Sequence, residues 1–63
     1  MNIDDINNRI EELKRSIALL KAIKQEYIAQ NKDDAIICAL DDGIQYTSLR
    51  LQTYQTANWI MVD

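Results

Sequence analysis

Two runs of apolar residues flank one short polar break, each run keeping an alternating spacing of three and four, and this pattern restricts the chain more than anything else in it. Ile3, Ile6, Ile10, Leu13, Ile17 and Leu20 are spaced 3, 4, 3, 4, 3. Such a spacing is the seam of a helix that packs along its whole length, and Ile23 and Tyr27 extend it with the drift of a nearly straight helix. After the break, Ile37, Leu40, Ile44, Thr47, Leu51, Tyr54, Asn58 and Met61 form a second seam with two polar members. Proline is absent and Gly43 is the single glycine, so little punctuates either run. The pattern predicts one domain over residues 1–63, with helices over about 3–30 and 34–61 and a turn at 31–34.

Local chemistry agrees with these limits. Asn2 can cap the first helix, and Asp4 and Asp5 place negative charge at the positive end of its dipole. Asp5 with Arg9 and Glu11 with Arg15 are acid-first pairs four residues apart that suit an exposed helical face. In the turn, Asn31 tolerates the left-handed backbone that ends a helix, and Asp33 or Asp34 can cap the next. The helices are nearly equal in length, about 40 Å each at roughly 1.5 Å per residue, so a short turn folds them into an antiparallel hairpin with matched ends. One rival must be kept. Asp41-Asp42-Gly43 is also a hairpin-turn sequence with β-branched and aromatic residues on both sides, which would give an N-terminal helix followed by a β-hairpin. Adjacent Ile36 and Ile37 break the alternation a strand needs, and Gly43 costs a helix only about 1 kcal/mol, so the all-α hairpin is preferred.

A chain of 63 residues buries too little surface to be comfortable alone and usually needs a disulfide, a metal or a partner. With no histidine and with Cys38 as the lone cysteine, an internal disulfide and the usual zinc spacings are both excluded. No cofactor is expected. Leu19, Ile28, Ile36, Tyr46, Leu49 and Trp59 lie off or beside the seams, more apolar surface than one hairpin can cover. The expected architecture is therefore a homodimer, two hairpins packed as a four-helix bundle. Its core would be built from Ile6, Ile10, Leu13, Ile17 and Leu20 of the first helix and Ile37, Leu40, Ile44, Leu51 and Tyr54 of the second.

Several residues invite a functional reading, and each has a plainer one. The commonest catalytic base is missing with histidine, and Asp33-Asp34 and Asp41-Asp42 are neighbours in sequence that diverge on a helix, so no enzyme is expected. Lys14 and Lys21 share a flank of the first helix and are the candidate nucleic-acid contacts, but no aromatic precedes Tyr27 to stack on bases, and charges beside a seam are the plainer reading. Lys24 falls on the strict heptad, where its stem can lie buried while its amine reaches water. Thr47 and Asn58 can fix register at some cost in stability, and fraying would explain Asn58 equally. Cys38 reads as a small buried hydrophobe, with Lys32 the one basic residue near enough to activate it. Trp59, Ile60 and Met61, with Val62 beyond, cannot all face one seam and are the candidate partner surface, with Tyr54 and Tyr27 as expected neighbours.

A helical hairpin of this length with its turn near residue 32 and Ile37-Cys38 just beyond it resembles the Rop family of plasmid-encoded dimeric bundles, which bind paired RNA loops. That family's RNA face uses an aromatic and polar residues in the first half of its first helix. Here those places hold Ile10, Lys14 and Ala18, so the resemblance implies the architecture and not the activity. A small acidic chain opening with Asn2, Asn7 and Asn8 is also similar to the accessory proteins of lambdoid bacteriophages, which act through protein contacts. A net charge of −3 argues against wholesale binding to nucleic acid or anionic membrane, and no uninterrupted apolar run approaches the length of a bilayer span. The expectation is a cytoplasmic regulatory or adaptor protein that binds itself and a host or phage protein. A Rop-like RNA- or DNA-binding dimer using the Lys14 and Lys21 flank is the alternative.

Overall fold

A computed structural model of the protein describes residues 2–31 and 33–62, of Val62 the backbone alone. Among these residues there are two helices and no strand, α1 at Ile3–Ala29 and α2 at Asp34–Val62. The β-hairpin rival is excluded over the segment where it was expected, because Ala35 to Leu51 is helix throughout. Gly43 sits inside α2 with helical backbone, and a methyl group there would meet only Leu20 Cδ1, at 3.9 Å. So the glycine marks neither a turn nor a crowded crossing.

The helix ends follow from their capping residues. The Asn2 side chain accepts a hydrogen bond from the Asp5 amide at 2.9 Å, which satisfies one amide that the first turn leaves open, and the Asn2 carbonyl accepts from Ile6 at 3.2 Å in the first bond of the helix. At the other end Gln30 donates its amide to Glu26, Asn31 donates to Ile28, and Asn31 takes φ 56° to turn the chain away. Asp33 then opens α2. Its carboxylate accepts from the Ala35 amide at 3.0 Å, and its carbonyl accepts from Ile36 and Ile37. Of the expected turn, Lys32 lies outside the described residues.

The two helices lie against each other as an antiparallel hairpin with Cα extents of 47 × 14 × 14 Å. Two cross-seam neighbours set the register, Leu20 beside Gly43 and Lys24 beside Asp41. Counting outward, Tyr54 falls level with Ile10 and Asn58 with Ile6. Among the described residues Ile6 and Ile10 are the two buried hydrophobic ones, so the driest part described is toward the free end, away from the turn. Leu13, Ile17, Leu20, Ile37, Leu40, Ile44, Leu51 and Tyr54 all sit on the seam but stay half-buried. A pair of helices has only one contact line, and each seam side chain keeps a flank in water unless another element covers it.

Candidate interaction surface

The seam carries three polar residues, and the hairpin treats each differently. Thr47 donates its hydroxyl to the Gly43 carbonyl at 2.7 Å, so it needs nothing from α1. Lys24 is half-buried with its stem along the seam beside Ile23, and its ammonium pairs across the hairpin with Asp41 at 2.5 Å. The spacing within either helix does not identify Asp41 as that partner; only the register of the two helices does. Asn58 is half-buried, and its Oδ1 is shielded from water without a hydrogen-bond partner among the described residues. Fraying therefore does not account for Asn58.

On the outer surface the short-range pairs differ from those expected. Arg9 pairs with Glu12 at 3.5 Å and Lys14 with Glu11 at 3.8 Å, each three residues apart, instead of Asp5 with Arg9 and Glu11 with Arg15. Both spacings place side chains on one helical face, and all four groups are well exposed, so the choice between them carries little energy. It does bear on the basic flank. Lys14 has a carboxylate beside it, which leaves Lys21 as the exposed cation of the two without an ion pair among the described residues.

Cys38 corrects the sequence reading. It is an exposed free thiol and not a buried hydrophobe, because its angular position lies beyond the Ile37 and Leu40 seam, on the side of α2 turned from α1. Tyr27 is a second correction. It lies on α1 at the turn end, whereas Trp59 ends α2 at the free end, so the two cannot share a surface in one hairpin. Tyr54 is on the free-end half with Trp59 and faces the seam. Trp59 is 72% exposed, and Ile60 and Met61 are exposed beside it. The Val62 side chain, grouped with them in the sequence, lies outside the described residues.

Enclosed sites are not what this geometry offers. Two shallow depressions are each lined by a single helix, one by Asp5, Asn8, Arg9 and Glu12 of α1 and one by Leu49, Gln52, Thr53 and Thr56 of α2. Among the described residues no cluster of three cysteine or carboxylate side chains could hold a metal ion, and no helix is long and apolar enough to cross a membrane. What the hairpin presents is exposed apolar surface: Leu19, Ile28, Ile36, Tyr46, Leu49 and the Trp59 end. Compared with known proteins, the chain matches no family model, no curated sequence and no solved structure.

Proposed function

We propose that the protein is a non-enzymatic adaptor or regulator of the phage or mobile-element type, a helical homodimer of two hairpins joined in a four-helix bundle, which captures a host or phage protein. The observation that carries this reading is Trp59, left largely in water with Ile60 and Met61 beside it. Tryptophan and methionine are enriched at protein-binding surfaces because a large rigid apolar group gains much on burial and loses little freedom. The absence of histidine and the divergence of the adjacent aspartates support a non-enzymatic role.

The test is capture of a partner from host lysate by the tagged protein and by Trp59→Ala, with sedimentation and thermal melting of both. The reading expects the variant to keep its mass and melting behaviour while losing the captured protein. A variant that dissociates or unfolds returns Trp59 to the protein's own core. Capture of nucleic acid that falls away steeply with added salt would favour the Lys14 and Lys21 alternative, since phosphate contacts are screened and an apolar interface is not.

A further inference from the structure

The two helices differ in a way the hairpin does not explain. From Ile3 to Ala29, α1 holds ten charged residues; from Asp34 to Val62, α2 holds four, Asp34, Asp41, Asp42 and Arg50. A helix with charges round its outer face belongs at a surface, and one nearly free of them on every side belongs inside. Within the hairpin only the seam of α2 is covered. Opposite that seam runs a second stripe of alternating four and three spacing, Asp42, Tyr46, Leu49, Thr53, Thr56 and Ile60. Tyr46 is 64% exposed and Leu49 59%, while Ile60, at the far end of the stripe, belongs with the Trp59 surface.

This stripe is prepared for removal from water. Thr53 and Thr56 donate their hydroxyls to the carbonyls of Leu49 and Gln52 at 3.1 and 3.0 Å, so their protons already have partners when solvent leaves. Arg50 lies over the Tyr46 ring at 5.9 Å, which holds its charge beside the stripe. Among the described residues neither Arg50 nor Asp42 has an ion-pair partner. They lie four residues on either side of Tyr46. If a second α2 runs antiparallel across the first with Tyr46 at the twofold axis, Arg50 of each copy comes level with Asp42 of the other. A parallel pairing would set like charges together.

The total surface points to the same occupant. The hairpin exposes 4805 Å², whereas a folded monomer of this mass exposes about 4,200 Å². The difference, about 600 Å², reaches the lower end of the roughly 600–1,000 Å² that a stable dimer removes from each partner. We propose that the back of α2 is the contact between two copies of this chain, antiparallel about Tyr46, with reciprocal Arg50–Asp42 pairs. The four helices then lie in one layer, with both α2 helices inside and both α1 helices outside, so the seam residues remain the core of each hairpin and the back of α2, in place of their flanks, forms the contact between copies. Cys38, on the same side of α2, falls level with Tyr54 of the other copy. This rests on the homodimer reading above and adds to it the face, the direction and the register.

Charge exchange tests it, because Asp42 and Arg50 are both exposed in the hairpin and their replacement is expected to leave its fold in place. Dimer dissociation constants are measured by sedimentation equilibrium for the wild type, Arg50→Asp, Asp42→Arg and the double variant, with helicity followed by circular dichroism. Each single reversal, doubled by the twofold, is expected to weaken the dimer about tenfold or more, and the double variant to recover most of that loss. A wild-type dimer that tolerates both single reversals, or a double variant as weak as the sum of its parts, overturns this contact while leaving the homodimer standing. A wild type that stays monomeric overturns both.

Discussion

Asn58 shows how a single atom can limit the hairpin. Its Oδ1 is shielded from water on the seam without a partner among the described residues, and a buried acceptor left unpaired costs about 1–3 kcal/mol. Asn58→Leu is expected to raise the melting temperature by roughly 4–8 °C for each kcal/mol recovered, read by circular dichroism. A lower melting temperature would mean that the amide has a partner in the assembled protein. Thr47 makes the contrast, because its hydroxyl turns back to Gly43 and the seam position costs the fold little. At this scale the sequence is a partial guide. It places Lys24, Thr47 and Asn58 on the seam by spacing, but which of them finds a partner depends on the level at which α1 and α2 meet, and the spacing within each helix does not contain that level.

The elements themselves are legible because their signals are local. The 3 and 4 spacing, Asn2 before the first seam residue, Asn31 after the last turn and Asp33 ahead of Ala35 each act within a few residues of chain. Gly43 is the one signal that pointed elsewhere, and the structure resolves it: a helical glycine with room for a methyl group beside Leu20. Gly43→Ala is therefore expected to stabilise the protein by about 0.5–1 kcal/mol through the loss of backbone freedom in the unfolded chain, measured by urea unfolding. Destabilisation would show that another chain approaches this position closely. The back of α2 was harder to read. Thr53 and Thr56 count as polar in a hydrophobic pattern, and only the hydrogen bonds to Leu49 and Gln52 show that their hydroxyls are already occupied. Cys38 is hard to place for a related reason, since a cysteine among Ala35, Ile36, Ile37, Ala39 and Leu40 looks buried until the seam is given an angle.

Taken whole, the molecule shows two helices and two buried hydrophobic residues among the described residues, and an accessible surface larger than its mass calls for. An outer face on α2 that is largely apolar and carries few charges is what one part of a larger assembly leaves uncovered, and a hairpin of this size has little else to hold it. Sedimentation equilibrium combined with circular dichroism across a dilution series is the most direct measurement. A mass of about 14.6 kDa, twice the 7.3 kDa of one chain, is expected at micromolar concentration, with helicity falling as dilution separates the copies. A species of 7.3 kDa that remains fully helical and melts at a temperature independent of concentration would contradict the account.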